Sequence, residues 1–110
     1  MAVRQIDPAA LKALLAAPPA DRPALLDVRT EGEHQVVALP DCLLIPLHEL
    51  QDRADELEPL RGREVVVYCH HGVRSLSGAA LLSALGYDAC SLRGGIDLYA
   101  QIVDPSLPRY

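Results

Sequence analysis

The residues best suited to chemistry are Cys69 and the six that follow it, His70, His71, Gly72, Val73, Arg74 and Ser75. A thiol is a strong nucleophile once deprotonated, and this loop is composed to hold an anion. Gly72 can take a positive φ, which lets successive backbone N–H groups turn inward around the sulfur. Four residues separate Cys69 from Arg74, so a guanidinium closes the loop, and its planar fork suits sulfonate or phosphate oxygens. A helix beginning near Arg74 would add the positive end of its dipole, and all these features favour thiolate over thiol. His70 and His71 are expected to line the pocket mouth, donating N–H groups or touching an acceptor, and Val73 and Ser75 to complete the cradle. The Cys-His-His run does not give a metal site, because neighbouring loop residues are expected to project in different directions and no second Cys/His cluster is present. Ser75 and Ser77 lack a G-x-S-x-G setting, so capping or loop hydrogen bonding is their expected role.

Such a thiol works only if regular elements hold it. Val65, Val66, Val67 and Tyr68 predict a buried strand over 65–68 that delivers Cys69 at its carboxyl end, and Ala-rich residues 75–85 predict the helix that follows, with Gly86 as its C′ residue. In a parallel sheet covered by helices, that end of a strand opens on the crevice where ligands collect. Other strands are predicted over 24–28, 42–45 and 88–92. Helices are predicted after Asp7-Pro8, over 31–37, over 47–57 from the spacing of Leu47, Leu50, Ala54 and Leu57, and over 96–103. Alternating strands and helices predict a single α/β domain over 1–110, with a mostly parallel central sheet of about five strands and helices on both faces.

Asp27 and Arg29 end a strand near the same crevice and read as a salt-bridged scaffold, with Glu33 a candidate third member. Cys42 and Cys90 sit in apolar runs and read as core, His34 and His48 as surface residues, and Gly94-Gly95 as a turn. Half the residues are hydrophobic, yet Trp and Phe are missing, so the core must be built from Leu, Val, Ile and Ala. A formal net charge of −5 argues against a nucleic-acid or polybasic membrane partner. No apolar run approaches the roughly 20 residues of a membrane span. Three cysteines without CxxC spacing fit free thiols in a reducing compartment, which points to the cytoplasm.

The run Tyr68-Cys69-His70-His71-Gly72-Val73-Arg74-Ser75, with Asp27-Val28-Arg29, Glu33-His34 and Leu39-Pro40 before it and Leu92-Arg93-Gly94-Gly95-Ile96 after it, resembles the rhodanese-like sulfurtransferases. The resemblance extends over nearly the whole chain. It departs from the family at Pro40-Asp41, where a Pro-Gly turn is usual, and at Tyr99, where Trp is usual. The resemblance implies a rhodanese-like domain and a two-step transfer. The Cys69 thiolate would take the outer sulfur of a small anionic donor such as thiosulfate, releasing sulfite, and the resulting persulfide would be collected by a thiol or by cyanide. A cysteine desulfurase or a sulfur-carrier protein is the alternative kind of partner, and neither step needs a cofactor or metal. Two rival readings stand beside it: a sulfur-relay or binding module without thiosulfate turnover, and a Cys-dependent phosphatase or arsenate reductase. The second rival needs five residues between Cys and Arg, one more than this chain has.

Overall fold

The computed structural model describes residues 3–110. Strands β1 (Gln5–Ile6), β2 (Ala24–Asp27), β3 (Leu43–Leu44), β4 (Glu64–Tyr68) and β5 (Asp88–Leu92) form one sheet in the order β1-β5-β4-β2-β3, parallel throughout. Helices α1 (Pro8–Leu15), α2 (Glu31–Val36), α3 (Arg74–Ala84) and α4 (Gly95–Ile102) connect and cover the strands, together with 3₁₀ segments at Pro19–Asp21, Leu47–Glu49 and Ala54–Leu60. The expected α/β architecture with a five-stranded sheet is what forms. Chain order runs outward from β2 to β3 and then returns to β4 on the opposite side of β2. The loops leaving β2 and β4 therefore diverge, and the carboxyl ends of these strands border a crevice.

Strand β4 shows why its sequence is apolar without interruption. Val65, Val67 and Cys69 pack with Ala79 and Leu82 of α3 and with Leu50 and Leu57, while Val66 and Tyr68 pack with Leu11 of α1 and with Ile96 and Tyr99 of α4. Both faces are buried, so the period-2 alternation separates two cores instead of core from solvent. It also directs the thiol. Continuing the alternation, Cys69 falls on the α3 face, and a slip of one residue would turn it away.

Helix ends follow local rules. Thr30 and Glu33 form a reciprocal capping box on α2, with Glu33 N–H donating to Thr30 Oγ1 and Thr30 N–H to Glu33 Oε1, both at 3.2 Å. Gly86 takes φ 92° and closes α3, with Gly86 N–H on Ser83 O and Tyr87 N–H on Leu82 O. Asp7 precedes α1 as expected, yet its carboxylate takes Arg93 Nε at 2.8 Å and caps no helix N–H.

Two elements differ from the sequence reading. Residues 47–57 form no α-helix; they divide between two 3₁₀ segments, the second running to Leu60 and holding Pro59. Pro59 lacks the N–H that an α-turn needs and would collide with the carbonyl of Asp55, which accounts for the 3₁₀ form of the second segment. Strand β1 was not foreseen, because two residues at a sheet edge, one of them exposed, carry too little pattern. Among the described residues, no helix is long and apolar enough to cross a membrane.

Candidate active site

Cys69 leaves the end of β4 with 1% of its surface exposed. The N–H of Gly72 donates to its Sγ at 3.1 Å and that of Ser75, in the first turn of α3, at 3.3 Å. Sγ lies 3.4 Å from Ser75 Oγ, which in turn lies 2.7 Å from Ser91 Oγ, buried in β5. Two amides and the amino end of an 11-residue helix thus converge on one sulfur, an arrangement that stabilises negative charge there.

The loop holds this shape because its amides and carbonyls are divided between two sides. Gly72, at φ 95°, turns its N–H inward. On the outer side, the Cys69 and His70 carbonyls accept from Ile96 N–H at 2.9 Å and Asp97 N–H at 3.1 Å, both at the start of α4. Gly95 makes that approach possible, since a Cβ there would lie inside the Cys69 and His70 carbonyl groups. Gly95 is therefore a packing requirement of the loop as well as part of a turn. The paired glycines after a strand were the available signal, and their spatial partner was not.

Arg74 closes the loop as expected, but its guanidinium lies on Glu33, with Nη1 to Oε1 at 2.7 Å and Nη2 to Oε2 at 2.9 Å. Tyr110 Oη donates to Glu33 Oε2 at 2.7 Å and accepts from Arg29 Nη1 at 2.9 Å. The Arg74 hydrogen bonds, joined by those of Tyr110 and Thr30, hold the Glu33 carboxyl well below the usual carboxylate range against the opposing effect of burial. Burial pushes the Tyr110 phenol up to about 12. Nothing in the sequence separated Tyr110 from an ordinary tail residue.

The scaffold reading of Asp27 and Arg29 describes their geometry. Arg29 is fully buried and donates to Asp27 Oδ1 at 2.9 Å and Oδ2 at 2.8 Å, and to Val37 O at 2.6 Å. Burial alone would raise the Asp27 carboxyl, and the hydrogen bonds of Arg29 and His34 outweigh it, leaving it lowered. Glu33 offers Arg29 only its backbone carbonyl, at 3.5 Å. His34 is half-buried with Nδ1 2.9 Å from Asp27 Oδ2, while His48 is exposed. Cys90 is core, its thiol pushed up to about 11 by burial. Cys42 is only half-buried and receives Tyr68 Oη at 3.3 Å.

His70 and His71 do not diverge. Their rings stack at 3.9 Å, and Tyr110 stacks on the other face of His70 at 3.9 Å. Among the described residues His70 Nε2 is buried without a partner, and burial together with neighbouring His71 holds this imidazole below its ordinary value. The ring pair and Asp97 bring donor atoms within 4.8 Å of one another, as do Asp27, His34 and Cys42. Each carboxylate is already engaged, Asp97 by Arg109 at 2.9 Å and Asp27 by Arg29, which makes both groups poor cation ligands. Val73 is 73% exposed at the rim.

Comparison with known proteins matches these features. Residues 7–102 match the rhodanese-like domain. A sulfurtransferase from Allochromatium vinosum is 38% identical over 78 residues, covering 70% of this chain and 71% of that protein. The adenylyltransferase and sulfurtransferase MOCS3 of Arabidopsis thaliana is 33% identical over 101 residues, but the match spans 22% of its length and 78% of this chain. A rhodanese-related protein from Thermoplasma volcanium superposes with a TM-score of 0.79 at 31% identity, covering 89% of this chain and 91% of its own. With the strand-end thiol, its inward amides and a match over most of its length, this chain belongs to the rhodanese-like domain family.

Proposed function

We propose that this chain is a sulfurtransferase that carries a sulfane sulfur as a persulfide on Cys69 and delivers it to a thiophilic acceptor, a thiol or, in an assay, cyanide. The observation that carries the reading is the pair of N–H groups, from Gly72 and Ser75, aimed at a nearly buried Sγ at the amino end of α3. That environment supports a thiolate nucleophile and would hold the negative terminal sulfur of a persulfide. In the first step the thiolate attacks the outer sulfur of a donor, a Cys69–S bond forms, and the donor's own bond to that sulfur breaks. In the second, the acceptor attacks the same outer sulfur and the Cys69 thiolate returns. No metal or organic cofactor enters either step. Thiosulfate, a desulfurase persulfide and a sulfur-carrier protein are the candidate partners. Three free cysteines fit a reducing, cytoplasmic setting.

Phosphatase or arsenate-reductase chemistry is the weaker reading. The loop is one residue shorter than that chemistry uses, and the guanidinium that would bind the oxyanion is held by Glu33. Intact mass after exposure to sulfur donors tests the proposal. A reductant-reversible gain of about 32 Da that is absent in Cys69→Ala supports it, and no gain with any donor while Cys69 remains alkylatable refutes it. Loading by a desulfurase-generated persulfide without loading by thiosulfate identifies the relay form.

A further inference from the structure

Resting on the sulfurtransferase reading, we propose that Glu33, clamped by Tyr110, is a specificity-determining residue that sets Cys69 to accept sulfur from a thiol-borne persulfide in preference to thiosulfate. Arg74 is the cation of the thiol loop, and both outer nitrogens of its fork already lie on Glu33, at 2.7 and 2.9 Å. Glu33 cannot turn away easily. Its carboxylate also receives Tyr110 Oη at 2.7 Å and Thr30 N–H at 3.2 Å, and Tyr110 is fixed by Arg29 and by its stack on His70. The two other arginines around the loop are paired in the same way, Arg29 with Asp27 and Arg109 with Asp97. Negative charge on the sulfur is met by the Gly72 and Ser75 amides without a free guanidinium.

The two donor classes make different demands on that site. Thiosulfate brings two negative charges, and sulfite leaves with two, so both ends of its reaction call for a cation beside the sulfonate and suffer from the carboxylate of Glu33. With a thiol persulfide, the Cys69 thiolate attacks the outer sulfur of R–S–SH. The Cys69–S bond forms, the R–S bond breaks, and the electron pair leaves on R–S⁻, which takes up the proton that the outer sulfur gives up as the Cys69 persulfide ionises. Sulfane sulfur moves with no external oxidant or reductant, and one negative charge is present at the reacting sulfurs throughout. The organic part of such a donor has a place to lie. A shallow groove walled by Val28, Pro46, Leu47 and His48 adjoins Arg74, and Val73 stands exposed at the rim.

Glu33→Gln isolates the charge, since glutamine serves equally as the third residue of a capping box. Single-turnover loading of Cys69, followed by intact mass, is measured with thiosulfate and with glutathione persulfide as donors. In the wild type the ratio of the thiosulfate rate to the persulfide rate is expected below one. It should rise about tenfold in Glu33→Gln, as a carboxylate's repulsion is removed and Arg74 is released, and by a smaller factor in Tyr110→Phe, which loses one hydroxyl. A ratio unchanged or lowered in Glu33→Gln, or a wild-type preference for thiosulfate, overturns the role of Glu33 while leaving sulfur transfer standing. Loading of the wild type by neither donor overturns both.

Discussion

Substituting Gly95 by alanine should destabilise the protein far more than the same change at another positive-φ glycine, and should disable the thiol loop with it. At Gly95 the new Cβ would lie inside the carbonyl groups of Cys69 and His70, which are backbone and cannot rotate aside. The left-handed conformation, φ 64°, costs an L-residue about 1–2 kcal/mol. Forced overpacking adds about 1–3 kcal/mol. Separating α4 from the loop weakens the Ile96 and Asp97 hydrogen bonds, at about 0.5–1.5 kcal/mol each. The sum is roughly 3–8 kcal/mol, a large part of the roughly 5–15 kcal/mol that holds a domain folded. Gly62 is the control: its φ is 82°, yet a Cβ there meets nothing within 4 Å, so Gly62→Ala should carry only the conformational cost of about 1–2 kcal/mol. Urea unfolding reads the difference. With a slope of about 1.5 kcal/mol per molar, Gly95→Ala should lower the midpoint by roughly 2–5 M and Gly62→Ala by about 1 M. Sulfur loading of Cys69 should fall in the first variant, under conditions where it is still folded, and persist in the second. Equal midpoint shifts would refute the claim that α4 holds the loop through contact at Gly95.

Replacing Arg29 by methionine leaves Asp27 buried without its partner and should cost about 3–5 kcal/mol in urea unfolding, with part of the loss recovered in the double variant Asp27→Asn with Arg29→Met. Ser91→Ala strips Ser75 Oγ of its buried partner and should cost about 1–3 kcal/mol, and a cycle with Ser75→Ala should show less than the sum of the two single effects. His70 is held below its ordinary value of 6.5 by burial and by His71, so the folded state resists its protonation. The stability it contributes is present above pH 6.5 and declines as pH falls below that value, in the direction linkage requires. Thermal midpoints measured from pH 7.5 to 5 should fall, and His70→Gln should flatten that slope. Further losses as pH drops below 4.5 belong to carboxylates such as Glu33, whose lowered value makes it resist protonation.

The sequence by itself determined the architecture and singled out the strand-end thiol. An unbroken apolar strand running into Cys69, then Gly72 and the start of a helix, is a local pattern, and the burial of both sheet faces leaves β4 few alternatives. The Gly86 stop and the Asp27–Arg29 pair were legible for the same reason, since their partners lie within a few residues. What only the tertiary structure decided is who answers whom across distance. Arg74 reads from sequence as an anion-binding residue, and in the fold it is matched to Glu33, 41 positions before it, which is matched in turn to Tyr110, 77 positions after Glu33. Gly95 reads as a turn until α4 is laid against the Cys69 and His70 carbonyls, and the two adjacent histidines read as diverging until Tyr110 completes their stack. A short-range pattern fixes backbone conformation, whereas the charge state of a site depends on side chains that meet only after the sheet has ordered its strands. For that reason the thiol could be found from the sequence, and the neutralised guanidinium beside it could not.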